Sequence, residues 1–192
     1  MSQIKLKHSG GNSVIIAAPD SNPASDRTLK LPSDGDGTIL TTNSATGKIL
    51  QVVIAQTATQ ASTSSQTFAE ITTDLRATIV PTSATSKIIV DVSLYYSGTS
   101  ASTGTTRILK DGSTMVSGAS TSDSRDGDAT LYCGANWMGT LNRTVFETAG
   151  NTNSRYYSPF WNTNSGTVYF NRYQSNTTYL GTSSIRVMEV AA

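Results

Sequence analysis

Only 14% of the 192 residues are charged, against about 25% in an average soluble domain, while Ser and Thr together make up roughly 30%. Fourteen Lys and Arg stand against 13 Asp and Glu, a formal net charge of +1, which excludes a basic field for a nucleic-acid backbone or an anionic membrane. Cys133 is the only cysteine, which excludes an intrachain disulfide and a cysteine metal cage; no apolar run approaches the ~20 residues of a membrane-crossing helix.

The first fifty residues repeat themselves. With a shift of 25 positions, Ile4-Lys5-Leu6 falls on Leu29-Lys30-Leu31, Gly10 on Gly35, Ser13 on Thr38, and Val14-Ile15 on Ile39-Leu40. Each copy reads as a short alternating strand, a Gly-rich turn and a second short strand. A hairpin of this size cannot bury its apolar face alone, and stacked repeats need about three units or more. Residues 1–47 are therefore expected to form a stalk or attachment segment completed by other chains. Its contact residues are Ile4, Leu6, Val14, Ile15, Leu29, Leu31, Ile39 and Leu40. Lys5, Lys7 and His8 are not followed by the apolar core of a signal peptide, so the chain is expected to be made in the cytoplasm.

Residues 48–192 read as one β domain. Strands are expected at Ile49 to Gln56, Thr67 to Ile71, Leu75 to Val80, Lys87 to Tyr96, Thr105 to Lys110 and Thr114 to Ser117. Further strands are expected at Ala129 to Met138, Thr144 to Thr148, Arg155 to Trp161, Thr167 to Tyr173 and Ser184 to Val190. The stretch from Gln56 to Gln66 has no apolar period and reads as a loop or a strand edge. Lys87 to Tyr96 is the clearest strand, with Ile88, Val90, Val92, Leu94 and Tyr96 on one face. Asp111-Gly112 is the dipeptide of a tight type I′ hairpin, whose two central residues both need positive φ. Roughly ten strands with no helix between them predict an antiparallel sandwich or barrel, with a jelly roll as the expected form. Ser184 to Val190 has Ile185 and Val187 on one face but Met188 and Val190 on the other. A sheet covered on one side alternates more cleanly, so the second apolar face is expected to be a subunit interface.

The segment IKLKHSGGNSVIIAAPDSNPASDRTLKLPSDGDGTILTTNSATGKILQVV resembles the amino-terminal segment of virion fibre-like structural proteins of tailed phages, particularly cyanophages and other marine phages. In that family an xLKLP-x-DGxxGxxL-x-T pattern leads into GKILQV and a β-rich head. ATIVPTSATSKIIVDVSL resembles the family's I-x-P-x-S-x-x-SKI-x-V strand pair, and SGTVYFNRY with GTSSIRVMEV resembles its closing strands. The resemblance implies a homotrimeric virion component exposed on the particle, with a jelly-roll head similar to the trimeric tumour-necrosis-factor and C1q heads. Its implied partners are copies of itself, other virion proteins of tail, neck or capsid, and a host-surface glycan or receptor. No cofactor, nucleic acid or membrane insertion is implied. A free lectin-like carbohydrate-binding module and a polysaccharide depolymerase are the alternative readings.

Side-chain chemistry for an enzyme is sparse. His8 is the sole histidine and lies in the stalk repeat, so a Ser-His-Asp triad would have to be completed there. Cys133 sits in an alternating run and reads as a small buried hydrophobe. The acidic runs 33–37 and 123–128 space carboxylates two apart but do not complete a calcium loop, and they read as turns. The three glutamates, Glu70, Glu147 and Glu189, each lie in or beside a strand and show no pair poised across a cleft. Aromatics interleaved with Asn late in the chain could stack on a sugar. The candidate receptor-binding residues are Trp161, Asn162, Asn164, Tyr173, Asn176 and Tyr179, although core packing competes for most such rings.

Overall fold

The structure is a computed structural model that describes residues 3–7, 9–11, 13–17, 48–99, 102–116, 127, 129–133, 137–174 and 176–192. The chain divides into two compact units, Met1–Thr41 and Thr42–Ala192. In the first, β1 (Gln3–Lys7) and β2 (Ser13–Ala17) pair antiparallel, with Leu6 opposite Val14 and Ile4 opposite Ile16. Gly11 in the connecting turn adopts φ 96°, a left-handed conformation that side-chain-bearing residues resist. The second copy of the repeat, with Leu29, Leu31, Ile39 and Leu40, lies outside the described residues, as do His8 and all of the two acidic runs except Gly127.

The second unit is all β. Its strands are β3 (Ile49–Thr57), β4 (Ala61–Thr63), β5 (Ala69–Glu70), β6 (Ala77–Ile79), β7 (Lys87–Gly98), β8 (Ser102–Lys110) and β9 (Thr114–Met115). They are followed by β10 (Ala129–Cys133), β11 (Met138–Thr148), β12 (Arg155–Thr163), β13 (Val168–Phe170), β14 (Arg172–Tyr173), β15 (Asn176–Leu180) and β16 (Ser183–Val190). Every pairing is antiparallel. In one large sheet β7 is central: β11 runs along one flank, β16 and β13 share the other, and β3 and β4 lie outside these two. In the other sheet β8 pairs β12, β10 and β9 flank β8, and β5 and β6 flank β12.

The inner faces of the two sheets fill one core. Ile88, Val90, Val92, Leu94 and Tyr96 of β7 are all buried, as their alternation predicts. They meet Ala77, Ile79, Ile108, Tyr157 and Trp161 of the opposite sheet. At its centre three rings from both sheets pack together: Tyr96 lies 5.8 Å from Trp161 and 6.0 Å from Phe170, and Trp161 lies 6.1 Å edge-on to Phe170. The Tyr96 hydroxyl finds Thr106 Oγ1 at 3.1 Å, which removes the penalty of an unpaired polar atom inside.

The expected Asp-Gly hairpin joins β8 to β9, with Asp111 at φ 51° and Gly112 at φ 70°, and Ser113 N donating to Lys110 O at 3.2 Å. Of the two readings for Gln56 to Gln66, the strand edge holds: β4 is an edge strand held by β13. Other expectations are revised. Thr73–Leu75 form a 3-10 turn in which Thr72 Oγ1 accepts from Asp74 N at 3.2 Å, so the strand expected from Leu75 starts at Ala77. Only Ala69–Glu70 of the strand expected at Thr67 to Ile71 is extended and paired. Of the strand expected at Ala129 to Met138, β10 covers Ala129–Cys133 and residues 134–136 lie outside the described residues; β11 begins at Met138, well before Thr144. β15 was not expected at all, because Asn176–Leu180 carries no apolar alternation.

Candidate subunit interface

Register fixes which side chains stand beside one another, so the outer face of the β7-centred sheet resolves into rows. Val52 of β3 lies opposite Met188 of β16, Met188 opposite Ile89 of β7, and Ile89 opposite Phe146 of β11. These four side chains make one apolar row across four strands. Val52 is 47% exposed and Phe146 69% exposed, while Ile89 and Met188 are half-buried. Ile54 and Tyr95 are also exposed on this face. Fully burying one side chain of this class contributes about 1.5–3 kcal/mol, so water contact here forgoes a substantial stabilisation.

The next row, Ile54-Arg186-Asp91-Thr144, is polar apart from Ile54 and internally paired. Asp91 accepts from Arg186, through Nη2 at 2.8 Å and Nε at 3.2 Å, and from Thr144 Oγ1 at 2.6 Å. Beyond it Gln56, Ser184, Ser93 and Asn142 form an uncharged row. Ile54, Arg186, Asp91, Ser184, Ser93 and Asn142 of these rows line a depression of about 440 Å³.

The outer face of the opposite sheet has a different character, because two of its rings are capped by cations while Tyr132 of β10 stands 65% exposed. The Arg107 guanidinium lies 3.8 Å over the Phe68 ring and that of Arg76 lies 4.7 Å over Tyr156. Arg76 also grips Glu70 with two hydrogen bonds of 2.8 and 2.6 Å, which hold the Glu70 carboxyl below its ordinary range.

The two other glutamates are likewise engaged by side chains and backbone from other parts of the chain. Glu147 accepts from Tyr157 Oη at 2.6 Å and Lys110 Nζ at 2.7 Å; burial, and then this carboxylate, push the Tyr157 phenol up. Glu189 is fully buried at the end of β16. Burial alone would raise its pKa, but Gln51 Nε2 at 2.6 Å and Thr82, through N and Oγ1 both at 2.8 Å, outweigh that and hold it at about 2. Cys133 is buried, and burial pushes its thiol up. Among the described residues no group of three or more His, Cys, Asp or Glu could hold a metal ion, and no helix is long and apolar enough to cross a membrane.

The structure separates the candidate receptor residues. Trp161, 3% exposed, belongs to the core aromatic trio and has no face to offer a sugar. Asn162 points outward by strand parity, yet it is 3% exposed because the segment around Gln66 crosses it: Asn162 Nδ2 donates to Gln66 O at 2.9 Å, and Thr163 N to Ser65 O at 2.9 Å. Both are corrected to structural positions. Asn164 is exposed on the following turn, and Tyr173 is half-buried on β14. Asn176 and Tyr179 lie on β15, with their side chains outside the described set.

Among the stalk candidates, Leu6 is 58% exposed on β1, while Ile4, Val14 and Ile15 take their places in the hairpin backbone. Sequence reasoning named Met188 and Val190 as outward apolar residues and put Ile89 on the second face of its strand, but missed Val52 and Phe146. The available signal was the second parity of each strand, which becomes a patch only once the register aligns it. No protein-family model matches the chain, and a search of curated proteins likewise finds no match.

Proposed function

We propose that this protein is a non-enzymatic structural protein of a tailed-phage virion: a trimeric fibre-like or decoration protein that attaches to the particle through residues 1–47 and exposes a jelly-roll head to the host surface. The sequence resemblance supports the virion setting. Strand order supports the jelly roll. Taking β3 with β4, β5 with β6, β9 with β10 and β13 with β16 as interrupted strands leaves four per sheet, in the orders β3-β16-β7-β11 and β6-β12-β8-β10. Such an eight-stranded double sheet is the jelly-roll pattern.

The observation that carries the reading is the apolar row Val52-Met188-Ile89-Phe146, a surface suited to contact between subunits. Native mass spectrometry tests it: a trimer weighs three times 20.3 kDa, about 61 kDa, and a stable monomer at micromolar concentration overturns the reading. Electron microscopy of phage particles with a labelled antibody tests the virion setting, where absence of label from purified particles counts against it. New reducing ends on host polysaccharide after incubation with the protein would overturn the non-enzymatic part. Adhesion is assigned to the turn and ribbon bearing Asn164, Tyr173, Asn176 and Tyr179.

A further inference from the structure

We infer that β3 is a mechanical clamp: a pull on the chain before Lys48 enters the β domain through this strand, and β3 is fastened at both ends so that the pull shears a whole sheet edge instead of peeling it. The use of such a clamp rests on the reading above that residues 1–47 attach to a particle while the domain is held by a host surface.

The path of the pull follows from where the elements lie. Lys48 leads into β3, and Ala191 N donates to Lys48 O at 2.9 Å, so the start of β3 and the finish of β16 share one end of the sandwich. Lys87 of β7 lies opposite Val190 at that end, and Gly98 of β7 lies opposite Val168 at the other. The turn bearing Asn164 leads into β13, and Ser97 Oγ donates to Arg172 O at 2.7 Å. The adhesion candidates on that turn and on β14 therefore stand at the end remote from Lys48, and a pull between the two ends runs along β3 itself.

Antiparallel hydrogen bonds lie perpendicular to the strands they join. Among the described residues β3 pairs with β16 alone, over eight residue pairs from Ile49–Val190 to Thr57–Ser183. Pulled along its axis, β3 strains all of these rungs together. Pulled between Lys48 and Ala192, at one end, the same rungs open one after another.

An edge strand has a neighbour on one side only and opens readily, but side chains secure this one at each end. At its start, Gln51 Nε2 donates to Glu189 Oε2 at 2.6 Å and to Val80 O at 2.7 Å, while Glu189 Oε1 accepts from Thr82 N and Oγ1, both at 2.8 Å. Gln51 thereby ties β3 to β16 and to the segment that joins β6 of the opposite sheet to β7. At its finish, Thr57 Oγ1 donates to Asp74 Oδ2 at 3.0 Å, and Thr57 O accepts from Asn171 Nδ2 at 3.0 Å. Between these ties Val53 and Ala55 pack on the core.

The test is single-molecule force spectroscopy on the full chain carrying Cys133→Ala. Handles are placed at exposed positions, through Lys48→Cys with Asn164→Cys in one form and Lys48→Cys with Ala192→Cys in the other. Far-UV circular dichroism and a cooperative melt verify the fold of each form. The rupture force is expected to be severalfold higher between 48 and 164 than between 48 and 192. Adding Gln51→Ala is expected to lower the higher force, and adding Gln56→Ala, at an exposed position of the same strand, to leave it unchanged. Equal forces in the two geometries overturn the clamp, as does a Gln51→Ala form that ruptures at the unaltered force. Either failure leaves the attachment reading standing, since labelling of particles decides that separately.

Discussion

At Trp161 and Glu189 a chemically suggestive side chain turns out to be structural. Trp161 offers a flat ring in an Asn-rich stretch, but its neighbours are Tyr96 and Phe170. Trp161→Ala is expected to lower stability by about 3–5 kcal/mol in urea unfolding, the range for truncating a buried aromatic, so loss of any binding in that variant reports unfolding. Glu189 contributes to the pH dependence, together with Glu70. Its pKa is depressed from an ordinary 4.5 to about 2, so its stabilisation is fully present above about pH 4.5 and is lost as pH falls through the folded value. Urea midpoints are expected to drop between neutral pH and about pH 3, with Glu189→Gln less stable at neutral pH by about 1–3 kcal/mol and less sensitive to acid. An unchanged acid slope in that variant would place the sensitivity elsewhere. Neither role was legible in the sequence, because alternation says that two sets of residues face opposite ways and does not say which set is covered.

At the level of elements, legibility followed the source of each strand's order. β7 could be read because its own alternation carries the burial that holds it, and the β8–β9 hairpin because Asp111-Gly112 tolerates positive φ at both positions. Gly112→Ala is expected to cost about 1–2 kcal/mol, seen as a lowered melting temperature. The φ of 70° is strained for a side chain, and the new Cβ would sit 2.8 Å from Tyr156 Oη. β15 could not be read, and β4 could be read only as a loop or a strand edge, since polar segments become strands only through the neighbours that accept their hydrogen bonds. The bend after β13 belongs to the same group. There Asn171, buried at φ 54°, donates Nδ2 to the carbonyls of Thr57 and Thr59 at 3.0 and 3.1 Å, and its Oδ1 accepts from Ser183 Oγ at 2.6 Å. One amide thus ties β3 to β16, and nothing local in the sequence marks it.

For the whole molecule, a formal net charge of +1 and an apolar sheet face favour the proposed trimer: copies carry little net charge to repel one another, and association through that face would remove Phe146 and Val52 from water. If the folded unit is an oligomer, mass action ties stability to concentration. The melting temperature is expected to rise as protein is concentrated a hundredfold, and a constant value would count against association. Added salt should not dissociate the assembly, because screening acts on charges and this row has none.

The sequence by itself determined the all-β class, the central strand, the tight Asp-Gly turn and the doubled amino-terminal pattern, since each depends on residues close together in the chain. Tertiary structure alone decided that Trp161 and Asn162 are covered, that Glu189 is a buried hydrogen-bonded anion, and that Val52, Met188, Ile89 and Phe146 form one surface. The physical reason is register. Alternation gives each strand two faces, but only hydrogen bonding between strands far apart in sequence aligns one residue from each into a row and leaves that row uncovered.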